Sequence, residues 1–145
     1  MLQKPEIFIE YWINNLGRAL NKVSDKKLHK YGITSSQAAV LYQLWSKEGL
    51  TQKEIQESLN LTAASVSGHV ETLLSKELIY RQQDNEDYRC KRLYLTEKGK
   101  ELRMCSLETI REIEDALSVG FSEEEKVIFT IWLKKVYNNI KAINT

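Results

Sequence analysis

The chain has 145 residues, 42% hydrophobic and 28% charged, with six glycines, one proline and 21 Lys/Arg against 20 Asp/Glu. Those figures describe a single ordinary globular domain and exclude collagen-like, low-complexity and strongly charged disordered chains. A net charge of +1 lacks the basic excess usual for a nucleic-acid-binding protein. The charge is unevenly placed, however: residues 1–50 hold seven basic and four acidic side chains, 51–105 nine of each, and 106–145 five against seven.

No apolar run approaches the roughly 20 residues that cross a bilayer. Met1-Leu2-Gln3-Lys4-Pro5-Glu6 shows no basic stretch followed by an apolar segment and a cleavage site, so the expected location is cytoplasmic, with no membrane partner. Cys90 and Cys105 do not form a C-x-x-C pair, and His29 and His69 are the only histidines. A metal site or a cofactor is therefore not expected, and both thiols are expected to be reduced.

Pro5 suits the first position of a helix, and Phe8, Trp12, Leu16, Ala19 or Leu20, and Val23 recur on one face behind it. The spacing predicts a long first helix over about 5–31, ended by Tyr31-Gly32. Thr34-Ser35-Ser36-Gln37 is a capping box opening a second helix with Ala38, Leu41, Leu44 and Trp45 inward. Glu48-Gly49-Leu50 breaks it, and Thr51-Gln52-Lys53-Glu54 is a second box for a short helix ending near Leu59. After the tight turn Asn60-Leu61-Thr62, residues Val66, Val70, Leu73 and Leu74 mark the inner face of a helix over about 63–76. Two short helices joined by such a turn form a helix-turn-helix.

The period then changes. Ile79–Gln82 and Lys91–Leu95 read as strands, with the polar tip Gln83–Arg89 between them, a hairpin placed as a wing. Thr96 can cap a helix over about 97–118 carrying Leu102, Ile110, Ile113 and Leu117 on one face. Ser122-Glu123-Glu124-Glu125 is a third capping box, for a last helix with Val127, Ile128, Ile131, Trp132, Val136, Ile140 and Ile143 in a stripe broadened by Phe129, Leu133 and Tyr137. So wide a stripe needs cover on more than one side. The expected fold is mainly α with a small β-hairpin wing. Residues 1–145 form one domain, with 32–99 the winged helix-turn-helix and 1–31 and 100–145 dimerisation helices.

Ile33–Leu41, Leu50–Ile55 and above all Asp87-Tyr88-Arg89-Cys90-Lys91-Arg92-Leu93-Tyr94-Leu95-Thr96-Glu97-Lys98-Gly99 resemble the MarR (multiple antibiotic resistance regulator) family of bacterial transcription factors. The last stretch carries that family's wing signature, D-x-R followed by a strand and L-T-x-x-G. The resemblance implies a homodimeric winged-helix regulator, more often a repressor, on a pseudo-palindromic operator in double-stranded DNA, released by a small ligand or an oxidant. On the wing it implies that Arg89 enters the minor groove and that Asp87 orients it by a salt bridge. Three departures stand out: Gly68 and Tyr88 occupy positions often basic in the family, and Glu77 stands where the family usually ends the recognition helix with glycine. Glutamate carries a steric penalty in a left-handed geometry, so a different helix exit is expected.

The residues support a groove-reading helix independently, because such a helix must show small or polar side chains opposite its core stripe. The outward set is Ala63, Ser65, Ser67, Gly68, His69 and Thr72. A solvated histidine remains the alternative for His69. Ser35, Thr51, Gln52 and Thr62 complete the expected DNA-contacting residues together with Asp87, Arg89 and Lys91; Lys91 and Arg92 alternate along a strand, so only one shares Arg89's side. The acids Asp84, Glu86 and Asp87 should weaken non-specific binding.

Two sensing readings follow. Cys90, between Arg89 and Lys91-Arg92, is a redox candidate, against the alternative of an inert wing thiol; peroxide-sensing relatives carry their cysteine in the first helix, which has none here. Tyr11, Trp12, Tyr31 and Trp45 are candidates to line a pocket for a small aromatic effector, against the alternative that they are plain core. No nucleophile motif or phosphate-binding glycine loop suggests an enzyme. A winged helix used only for protein contact is the competing function.

Overall fold

The structure, a computed structural model, describes residues 4–143, so Met1–Gln3 of the Met1–Glu6 stretch read for a targeting signal lie outside the described residues. The chain packs as two compact units, divided between Thr109 and Ile110 inside a helix.

In the first unit, α1 spans Ile9–Leu28 between two 3₁₀ turns, Pro5–Ile7 and His29–Tyr31. The expected unbroken helix over 5–31 is thus divided at Phe8, which is extended at φ −91°, ψ 135°. Pro5 starts the first turn, whose carbonyl accepts the Phe8 N–H at 3.0 Å, and the Trp12 indole N–H donates to the Glu6 carbonyl at 2.8 Å. Those bonds satisfy the turn locally and let the chain change direction before α1 begins.

The capping boxes form as their spacing predicts. Helix α2, Ser35–Ser46, starts with Thr34 Oγ1 accepting the Gln37 N–H and Gln37 Oε1 accepting the Thr34 N–H, both at 3.2 Å. Helix α3, Gln52–Leu59, repeats this with Thr51 and Glu54 at 3.1 and 2.9 Å. Helix α4, Ala63–Ser75, is capped by Thr62 Oγ1, which accepts the Ser65 N–H at 3.1 Å. The core is the meeting of these helices with the hairpin, and Val40, Leu41, Leu44, Ile55, Val66, Val70, Leu73 and Leu93 are all within 1% of full burial. Trp45, expected inward, is half-buried with its N–H donated to the Gly99 carbonyl at 2.9 Å.

Both ends of the turn-and-recognition segment use the same exit. After α3, Asn60 is left-handed at φ 52°, with Leu61 N–H bonded to Gln56 O at 3.2 Å. After α4, Glu77 is left-handed at φ 58°, with Glu77 N–H on Leu74 O at 3.0 Å and Leu78 N–H on Leu73 O at 3.1 Å. That paired pattern, with buried Leu73 and Leu78 beside it, is the Schellman motif. The expectation of a different exit is corrected: Glu77 keeps the glycine geometry, because burial of Leu78 and two backbone bonds outweigh its Cβ penalty.

Strands β1, Ile79–Gln83, and β2, Lys91–Leu95, pair antiparallel with Ile79 opposite Leu95 and Gln83 opposite Lys91. A further antiparallel bridge joins Leu50 to Leu93, with Leu93 N–H on Leu50 O and Gly49 N–H on Leu93 O, both 2.9 Å. Helix α5, Glu97–Leu117, starts under Thr96, whose Oγ1 accepts the Gly99 N–H at 3.1 Å. Gly99 is required by packing: a Cβ there would lie 2.1 Å from the Leu78 carbonyl oxygen.

In the second unit, the tail of α5 leads to α6, Glu123–Ile143. Ser122 and Glu125 form the third capping box at 3.1 and 2.8 Å, and Phe121 stacks on Phe129 with ring centroids 5.9 Å apart. No described side chain of α6 is buried.

Gly99→Ala should destabilise the protein by about 3 kcal/mol, because the Leu78 backbone must move to admit a methyl group. Glu77→Gly should stabilise it by about 0.5–1 kcal/mol, the left-handed penalty less the added freedom of the unfolded chain. Urea unfolding midpoints at constant m-value check both.

Candidate nucleic-acid interface

Helix α4 turns Val66, Val70 and Leu73 into the core, which leaves its other faces to solvent. Ala63 and Gly68 are exposed, and Ser65, Ser67, His69 and Thr72 are half-buried. Ser65 Oγ lies 3.5 Å from His69 Nε2, so the imidazole rests along the helix surface, and Thr72 Oγ1 donates to the Gly68 carbonyl at 3.0 Å. Thr51 and Thr62 are engaged as caps through their oxygens, yet each hydroxyl retains its proton for another acceptor. The Ser35 N–H is already given to Asp25 Oδ1 at 2.6 Å.

Three residues of this face were not in the expected set. Ala64 is exposed opposite the core stripe, and a helical wheel drawn from Val66 and Val70 would have found it. Glu71 is the one carboxylate on α4, and Arg81 of β1 meets it at 2.5 Å while also donating to Gln52 Oε1 at 3.1 Å. That contact ties α4, α3 and the hairpin together and offsets an acid on an otherwise neutral helix. Nothing periodic marks the pair, since its members come from different elements.

The wing tip is organised by acids. Asp84 Oδ1 accepts the Glu86 N–H at 2.9 Å, and Asp84 Oδ2 accepts from Arg92 Nε at 2.6 Å. The Glu86 N–H foremost, and then the Arg92 guanidinium, hold the Asp84 carboxyl below its ordinary range, while Asp84 raises Arg92 in return. Asp87 Oδ1 accepts the backbone N–H of Arg89 at 3.0 Å. The salt bridge expected between Asp87 and the Arg89 side chain is absent among the described residues: a two-residue turn bond needs no ordering of a long side chain. Arg89, Tyr88 and Lys91 stand exposed at the tip, whereas Arg92 points back into the protein. Lys91 is therefore the strand cation left on the open side.

Cys90 is half-buried, its N–H on Asp87 O and its carbonyl accepting from Asp84 N–H, both at 2.9 Å. Arg92, engaged by Asp84, also lies within electrostatic range of that thiol. Cys105 is a half-buried free thiol on α5. Among the described residues no group of His, Cys, Asp and Glu could hold a metal, and no helix is long and apolar enough to cross a membrane.

The four candidate effector-pocket aromatics do not converge within one chain. Tyr11 and Trp12 pack edge-to-face at 5.4 Å near the start of α1, and Tyr31 lies 20 residues on, roughly 30 Å along a helix. Trp45 packs edge-to-face on Tyr42 at 4.9 Å, and the Tyr42 hydroxyl donates to the Ser106 carbonyl at 3.2 Å.

Comparison with known proteins agrees with this geometry. The MarR family model matches residues 33–91, from just before α2 to the first residue of β2. The HTH-type transcriptional regulator MhqR of Bacillus subtilis is 33% identical over 128 residues, 88% of each chain, and the uncharacterized HTH-type regulator YdgJ of the same organism is 28% identical over 128 residues, 87% of this chain and 77% of that protein. Among solved structures, the S. aureus MepR–DNA complex superposes with a TM-score of 0.84 at 29% identity, covering 94% of this chain and 99% of that one. A MarR transcriptional regulator from Methanosarcina mazei Go1 gives 0.86 at 28% identity, covering 94% and 98%. These are regulators and not enzymes. The capped helix-turn-helix, the hairpin with its D-x-R and L-T-x-x-G residues, and these likenesses over nearly the whole chain lead to one conclusion: the chain belongs to the MarR family of winged helix-turn-helix transcriptional regulators.

Proposed function

We propose that the protein is a cytoplasmic homodimeric repressor that binds a pseudo-palindromic operator and is released by a small ligand or an oxidant. The observation that carries the DNA-binding part is the recognition helix α4, whose solvent faces present short side chains beside a wing whose tip exposes Arg89 and Lys91. Short residues let the helix backbone approach base edges in the major groove, and arginine, planar and permanently charged, suits the narrow minor groove. The likeness to a DNA-bound MepR supports the same reading. Thr51, Gln52 and Thr62, at the starts of α3 and α4, are the phosphate contacts on this reading, supported by their position where the helix N-termini favour an anion.

Support for the dimer comes from the second unit. Val127 and Trp132 on α6 are about 60% exposed, and Ile128, Ile131, Leu133, Tyr137 and Ile140 are also open. An apolar surface of that extent on one helix marks an interaction site. Two copies related by a two-fold axis would place their α4 helices in successive major grooves, about one helical turn apart.

Gel shifts on the promoter beside its own gene should show salt-sensitive binding. Arg89→Ala should weaken it about tenfold and flatten the log K against log salt slope by about one unit per subunit. A slope that stays put would remove the wing from the interface, and no salt-sensitive binding at any palindrome would favour a protein-contact role. Trp132→Glu should shift the sedimenting species from twice the 16.9 kDa chain mass toward the single chain; an unchanged mass would place the dimer contact elsewhere or exclude it.

A further inference from the structure

Arg92 has a chain position suited to touching DNA and a side chain that does something else. It sits on β2 three residues after Arg89, in the most basic run of the wing. Its side chain is partly exposed and reaches across to the α2–α3 loop, with Nε on Asp84 Oδ2 at 2.6 Å, Nη1 donating to the Gly49 carbonyl at 2.9 Å, and Nη1 3.8 Å from Glu54 Oε2. Each partner belongs to a different part of the unit. Asp84 also holds the Glu86 N–H and so shapes the wing loop. Gly49, left-handed at φ 79°, is in the loop between α2 and α3 and donates its own N–H to Leu93. Glu54 completes the capping box on Thr51 at the start of α3.

We infer that Arg92 is a positioning residue for DNA binding, a clamp that fixes the wing loop against the α2–α3 loop and the start of α3 without itself touching DNA. This rests on the DNA-binding reading above. A wing is a two-stranded ribbon, and a ribbon of that size is not stable alone. The planar fork bonds Asp84 and Gly49 at fixed angles while its charge lies near Glu54, a geometry that the compact point charge of an ammonium does not fix. Arg92 thereby sets the distance between the exposed Arg89 and the helix-turn-helix, and the Leu50–Leu93 bridge lies directly beside it.

Two measurements test the clamp. In the free protein, Arg92→Gln should make amide exchange at Gly49 and Leu93 about tenfold faster while Val66 and Val70 in the core exchange as before. Asp84→Asn should do the same, and the double variant should add little to either. Equal exchange in wild type and Arg92→Gln, or full additivity of the two changes, would overturn the clamp whether or not the protein binds DNA. On the promoter duplex, Arg92→Gln should weaken binding about tenfold with the salt slope unchanged, in contrast to Arg89→Ala. A slope reduced by about one unit per subunit would make Arg92 a phosphate contact instead. Arg92→Lys, which keeps the charge and loses the fork, should stay loose by exchange; full rescue would reduce the role to charge alone. Wild-type protein that binds no duplex would end the DNA-binding reading, with the exchange experiment still deciding the clamp.

Discussion

The winged unit depends on one close approach of two backbones. Gly99 lies against the carbonyl of Leu78, so near that no side chain fits between them. The Leu78 oxygen accepts the Thr96 N–H at 3.1 Å, the Gly99 oxygen accepts the Trp45 indole, and the Thr96 hydroxyl donates to the Glu77 carbonyl at 2.7 Å. The end of α4, the root of the hairpin, the start of α5 and the end of α2 are thereby joined at a single point. The glycine of L-T-x-x-G is a packing requirement, and the threonine of the same motif closes the joint by capping α5 and bonding back to the helix exit.

The recognition helix is held between two left-handed residues, Asn60 before it and Glu77 after it. Asparagine tolerates that conformation through its short polar side chain, and glutamate does not. The strain at Glu77 is retained because the turn must bury Leu78 and present Ile79 to the core in register with Leu95. Tertiary demand overrides local preference here, in the same way that Lys76 Nζ, donating to Gln37 Oε1 at 3.0 Å, ties the end of α4 to the capping box of α2.

What was legible in the sequence was local. The boxes at Thr34/Gln37, Thr51/Glu54 and Ser122/Glu125 are statements about residues three apart, and each forms as written. The core stripe of α4 and the two strands follow from periodicity alone. The break at Phe8 was hidden because Trp12 and Leu16 continue the apolar spacing across it. The pairing of Glu71 with Arg81, and of Arg92 with Gly49 at 43 positions' separation, has no periodic signature, because it joins elements whose faces become neighbours only after the core has formed. Asp87 illustrates the opposite limit: its carboxylate accepts the Arg89 backbone N–H two residues away, a local bond that spacing alone does not distinguish from an ion pair with the side chain.

The self-neutralised wing bears on rates as well as contacts. With Asp84 and Arg92 cancelling each other, and a whole-chain charge of +1, little field extends beyond the Debye length of about 8 Å at physiological ionic strength. Encounter with any polyanion is then not drawn in from a distance, and association belongs in the unsteered range of roughly 10⁵–10⁷ M⁻¹s⁻¹ rather than near the diffusion limit. Under the proposed function, one stretch of duplex is then distinguished from the next by residence time, through the fit at contact of the short side chains of α4 and the exposed Arg89.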